Sequence, residues 1–210
     1  MNIHSAHALL LAALLATAAV LAQGCSGLLT SEQAPRQYYL LTPVQGPAPP
    51  LAVPSIQLAL QVSAIPGLDT DQVLALGADA RLQQYGNARW PDHLPEVLTS
   101  TLQRSLEATG WFATVDAADR AADGGWLLRL EAREFFGIRN AAGDTSSVRT
   151  ALAGSIDCGG RRHSLQLSDT QPITAQRLAS VVAAHQSGLD AVTRQLFGQL
   201  LQSCLADGTQ

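Results

Sequence analysis

"SVRTALAGSIDC", residues 147–158, alternates Val148, Thr150, Leu152, Gly154 and Ile156 with small or polar neighbours. A period of two marks a strand with one face buried. Gly159-Gly160 follows as a two-residue turn, and "HSLQLS" (163–168) alternates again, so the pair reads as an antiparallel hairpin. Upstream, "WLLRLEAREFF" (126–136) is a longer strand that completes an antiparallel run. Glu131 and Glu134 are three apart on it, which predicts opposite faces and excludes a close carboxylate pair.

Outward from this run, "WFATV" (111–115) reads as a short strand and "IQLALQVSA" (56–64) as a half-buried one, with Ile56, Leu58, Leu60 and Val62 on one face. Residues 73–85, "VLALGADARLQQY", read as a hairpin turning at Gly77–Asp79. Two segments switch to helical spacing. The first opens at Pro91 or Asp92, places Leu94, Val97, Leu98, Leu102 and Leu106 on one side, and stops at Gly110. The second runs from about Thr174 to Cys204 with Leu178, Val182, His185, Leu189, Val192, Leu196 and Leu200 in a stripe, and Gly188 and Gly198 as points where it would kink. The fold class is therefore α+β: an antiparallel sheet with two main helices packed on one face.

The amino-terminal region obeys different rules. Leu9–Ala22 is a run of 14 residues, apolar but for Thr17, shorter than the roughly 20 a spanning helix needs and right for the core of an export signal. It ends at Gln23-Gly24-Cys25, which resembles a bacterial lipobox. On that resemblance residues 1–24 are a signal peptide and Cys25 carries the lipid anchor; an ordinary secretory signal with an incidental cysteine is the alternative. Ser26, where an Asp would favour inner-membrane retention, resembles an outer-membrane address. Residues 25–54 carry Pro35, Pro43, Pro47, Pro49, Pro50 and Pro54 around "YYLLT" (38–42) and read as a tether with a short edge strand. Residues 55–206 are a single domain.

Composition excludes several functions. Removing residues 1–24 leaves 186 of the 210, enough for one well-buried domain. All 13 basic residues are Arg, the net charge is −4 and no basic run exceeds Arg161-Arg162, so nucleic acid is not an expected partner. Without Lys there is neither Schiff-base chemistry nor P-loop phosphate binding. His93, His163 and His185 show no metal-ligand spacing, and Ser155 and Cys158 sit inside a strand instead of a nucleophile elbow. No enzyme, no metal and no cofactor are expected. His185, on the apolar stripe, reads as a satisfied core or interface histidine. Once Cys25 is lipidated, Cys158 and Cys204 remain as an even pair for a disulfide that would close a loop of about 45 residues. Two buried free thiols are the alternative.

The landmarks, taken in order, resemble the ABC-type transport auxiliary lipoprotein family: Cys25, then Tyr38 to Pro43, then Ile65 to Leu74 ("IPGLDTDQVL"), then Arg89-Trp90, then "LASVVAAHQSGLDAV" in the last helix. The resemblance implies a non-catalytic outer-membrane lipoprotein that docks an MCE-domain protein and its ABC-type permease in lipid transport between membranes. A structural envelope lipoprotein without a transporter is the alternative. Tyr38, Tyr39, Arg89 and Trp90 are the candidate partner-binding residues. Tyr38, Tyr39, Leu40 and Leu41 form an edge strand that is either paired within the chain or open to strand addition by a partner or a neighbouring subunit, and the Arg-Trp pair is of a type enriched at interfaces, with a core role for Trp90 as its alternative.

Overall fold

A computed structural model of the chain describes residues 35–48, 56–120 and 124–205. The export signal, Cys25 and the remaining tether residues lie outside them. In chain order the elements are β1 (Gln37–Tyr38), β2 (Gln57–Ala64), β3 (Gln72–Leu76), β4 (Leu82–Arg89), α1 (Leu94–Ala108), β5 (Thr114–Ala117), β6 (Trp126–Arg139), β7 (Thr145–Cys158), β8 (Arg161–Pro172) and α2 (Leu178–Leu200). A π-helical turn, Leu201–Leu205, ends the described chain.

The fold is α+β, with one eight-stranded sheet and two α-helices among the described residues. The sheet is mixed instead of wholly antiparallel. The 126–168 run pairs as expected, β6 with β7 and β7 with β8, both antiparallel, and β3 with β4 likewise. But β6 has a second edge, and there β2 and then β3 lie parallel to it. The chain leaves β2 at Ala64 opposite Ala132, steps out through a 3-10 turn at Pro66–Leu68, and returns as β3 opposite Gly137 and Ile138. β5 is parallel to β2 and β1 parallel to β4. Alternation fixes which side of a strand is buried; strand direction depends on a partner far along the chain.

A register shift between Ala132 and Glu134 corrects the reading of β6. Before it, Leu128, Leu130 and Ala132 are buried toward the helices; beyond it Phe135 is, with its ring against His185. The extra residue puts Glu134 on the same open face as Glu131. They are still no catalytic pair, because Glu131 binds Arg133 at 3.0 Å and Glu134 binds Arg149 at 2.7 Å.

Both helices share one core with the sheet. α1 buries Leu94, Val97, Leu98, Leu102 and Leu106, and α2 buries Leu189, Val192, Leu196 and Leu200. Each such side chain contributes about 1.5–3 kcal/mol relative to exposure. α1 starts two to three residues later than expected: the Asp92 carboxylate accepts the His93 N–H at 2.8 Å, and Pro95 fills the first turn. α2 is unbroken through Gly188, whose role is contact. A Cβ there would lie 2.6 Å from the Thr150 hydroxyl oxygen, so only glycine lets the helix approach β7 this closely. Cys158 and Cys204 form a disulfide with Cα atoms 5.9 Å apart, joining the end of β7 to the turn after α2.

Residues 39–46 are not a loose tether. Leu41 and Val44 are buried, the Val44 N–H donates to the Ser105 hydroxyl at 2.9 Å, and the Gln186 side chain brackets both the N–H and the C=O of Thr42. The segment is a strap laid over the helices.

Candidate functional site: the β1 edge of the sheet

A sheet that is open at its ends exposes unpaired backbone, and this one covers part of it with glutamine amides. Gln195 of α2 accepts the Ser168 N–H at 3.1 Å and donates to its C=O at 2.9 Å, and Gln199 donates to the Gln166 carbonyl. These contacts close part of the outer edge of β8. At the opposite flank Gln103 of α1 donates to the Val115 carbonyl of β5 at 2.9 Å. Each amide stands in for a missing strand, as edge protection requires.

β1 has no such cover among the described residues. The Tyr39 N–H bonds the Arg89 carbonyl at 2.9 Å, so by strand alternation the N–H and C=O of Tyr38 point away from β4. The side chains alternate too. Tyr39 and Leu41 turn inward, whereas Tyr38 and Leu40 are 56% and 73% exposed, the largest exposed apolar groups on this flank.

The other expected partner-binding residues lie elsewhere. Trp90 is 1% exposed, with its ring 5.7 Å from Phe135 and 5.4 Å from His185. It anchors the core and offers a partner no surface, because its side chain falls on the helix-facing side just as β4 ends. The Arg89 guanidinium is engaged within its own hairpin, donating to the Ala88 and Gly86 carbonyls and lying 3.6 Å from the Asp71 carboxylate. Tyr39 is half-buried and donates its hydroxyl to Gln37 at 2.8 Å. Of the four, Tyr38 alone is presented outward.

Two further residues complete the edge. Leu40 was legible, since it lies two from Tyr38 in a strand-like stretch. Arg139 was not: it comes from the far end of β6. Its guanidinium sits 5.1 Å above the Tyr85 ring, and it has no ion pair or hydrogen bond among the described residues. With Gln37, Tyr85 and Leu178 it lines a cavity of about 360 Å³ beside β1. Tyr85 is held by a hydrogen bond between its hydroxyl and that of Thr145. On the other side of Leu40 a second hollow, about 230 Å³, carries Asp92, Glu96 and Arg104 among Leu41, Pro91 and Val97. Close by, the Asp69 carboxylate lies 3.0 Å from His93 Nδ1, and this hydrogen bond raises the imidazole above its ordinary value. The edge therefore presents a strand unpaired on its outer side among the described residues, two apolar side chains, a cation on one side and two acids with an arginine on the other.

His185 is buried as expected but is not satisfied. Neither ring nitrogen has a partner among the described residues, and desolvation pushes it down to about 3, so the ring is neutral.

Comparison with known proteins agrees with the fold. The model of a family described as "ABC-type transport auxiliary lipoprotein component" matches residues 38–196. A crystal structure of a Xanthomonas campestris protein of the DUF330 family superposes with a TM-score of 0.68 at 22% identity, over 83% of this chain and 100% of that one. A second, described only as an uncharacterized protein, gives 0.62 at 16% identity, over 80% and 99%. At these identities the likeness shows the fold alone. No curated protein matches significantly by sequence.

Proposed function

The chain belongs to the ABC-type transport auxiliary lipoprotein component family, and from that premise we propose that it is a non-catalytic docking lipoprotein for an ABC-type system moving lipid between membranes. Cys25 carries the acyl anchor, which holds the domain at the periplasmic face of the outer membrane. The β1 edge receives an extended segment of the transporter's MCE-domain protein. The observation that carries this reading is the uncovered strand at Tyr38, on a sheet whose β5 and β8 flanks are both bridged by glutamine amides. Strand addition supplies affinity through the main chain, and flanking pockets supply specificity. Arg139 would pair with an acidic side chain of the incoming segment and the Asp92–Glu96 hollow with a basic one.

The test is recovery of partners from detergent-solubilised envelopes, with mass spectrometry of the N-terminal peptide. The expected result is a triacylated Cys25, with an MCE-domain protein co-purifying with the native chain and lost from Tyr38→Asp/Leu40→Asp. An acylated chain with no transporter component would overturn the docking role and favour a structural envelope lipoprotein. Unmodified Cys25 would overturn the anchor.

A further inference from the structure

The carboxyl-terminal end of the domain gathers three ligand types that the docking role leaves unused. Cys158 ends β7, His163 lies on β8 opposite Ile156, and Cys204 lies in the turn after α2. The two sulfurs and a ring nitrogen of His163 all lie within 4.8 Å of one another. Ile156 and Cys158 are buried toward the helices, and cross-strand pairing brings His163 to that same side. The His163 ring makes no hydrogen bond or ion pair among the described residues, so it is not committed to another task. The three line a cavity of about 280 Å³ with Trp126, Arg161 and Ser203.

We propose that Cys158, Cys204 and His163 form a thiol-dependent zinc site, closed while the cysteines are a disulfide and opened when they are reduced. In a tetrahedral site zinc lies about 2.3 Å from sulfur and about 2.0–2.1 Å from nitrogen, which sets the ligand atoms roughly 3.3–3.8 Å apart. The cluster reaches that geometry when the sulfurs separate to about van der Waals contact, which breaking their bond itself brings about, and the His163 ring nitrogen, already within 4.8 Å of both, closes on the ion. A dithiol supplies the two electrons and two protons, giving two Cys thiols and a cyclic disulfide of the reductant. Zinc then displaces one proton from each thiol. Two thiolates and a neutral imidazole cancel the ion's charge, so the complex suits a half-buried position beside Arg161. A water in the cavity would take the fourth place. Borderline-soft ligands of this kind select zinc over calcium or magnesium, which favour oxygen.

The test uses the full chain with Cys25→Ser, oxidised or reduced with a dithiol that is then removed under nitrogen. Zinc binding is read by competition with a chromophoric chelator, and cobalt(II) is used in parallel for its thiolate charge-transfer band. One equivalent bound by the reduced chain, none by the oxidised chain, and at least about 100-fold weaker binding in His163→Ala support the site. The same cobalt band should lose intensity in that variant. Equal affinity in His163→Ala, or no binding by a reduced chain that circular dichroism shows folded, overturns it. A reduced chain that unfolds and is not refolded by zinc overturns it as well, since the site requires β7, β8 and α2 in place.

Discussion

Two edges of the sheet, at β8 and at β1, are finished in opposite ways. At the β8 flank the helix amides of Gln195 and Gln199 cover the strand, and the Cys158–Cys204 bond ties the end of β7 to the end of α2. At the β1 flank two residues of strand stand in the open with Tyr38 and Leu40 beside them. Exposed edges invite pairing, and a chain that covers part of one flank in this way has the means to cover the other. The contrast separates residues that hold the domain together from residues that face outward, and that separation can be measured.

At neutral pH the largest effect expected is on the closed flank. Cys158→Ser/Cys204→Ser releases a 46-residue separation and should cost about 4 kcal/mol, read as a lower denaturant midpoint. Partner recovery should survive in the fraction that stays folded. A cost near zero would mean that packing alone closes this flank. Acid should act through the core between the two flanks. His185 is neutral in the fold down to about pH 3 but takes a proton near 6.5 when unfolded. Below pH 6.5 the unfolded state therefore binds the extra proton, and stability falls by about 1.4 kcal/mol per unit toward pH 3. His185→Leu should flatten that slope relative to the native chain in urea titrations at several pH values; an unchanged slope would assign acid sensitivity to the carboxylates.

Smaller effects sharpen the comparison. Gly188→Ala forces a methyl against the buried Thr150 hydroxyl and should cost about 1–3 kcal/mol. Gln195→Ala uncovers Ser168 and should cost about 1 kcal/mol, with self-association appearing in sedimentation. Tyr38→Ser and Leu40→Ser should change stability by less than about 0.5 kcal/mol. If either unfolds the domain, the open flank is part of the scaffold.

How far the sequence carried depends on the range of the interaction concerned. The faces of both helices and of β7 are written in local spacing, because burial of a side chain every two or every 3.6 residues is a property of the segment itself. Pairing of Glu131 and Glu134 on one face was not legible: the intervening bulge depends on how β7 meets β6. Trp90 beside Arg89 has the composition of an interface, and one residue of alternation decides that the ring points inward. Arg139 is 54 residues from Tyr85, so their stacking leaves no mark in either neighbourhood.

By itself, then, the sequence determined the family, the α+β class, the two amphipathic helices and the antiparallel run from 126 to 168, all set by short-range periodicity and by landmarks in order. The tertiary structure decided the parallel placement of β2 and β3 along β6, the inward turn of Trp90, the strap over the helices and the open edge at Tyr38. Each of these rests on contacts between segments distant in the chain, and such contacts are chosen by the packing of the whole.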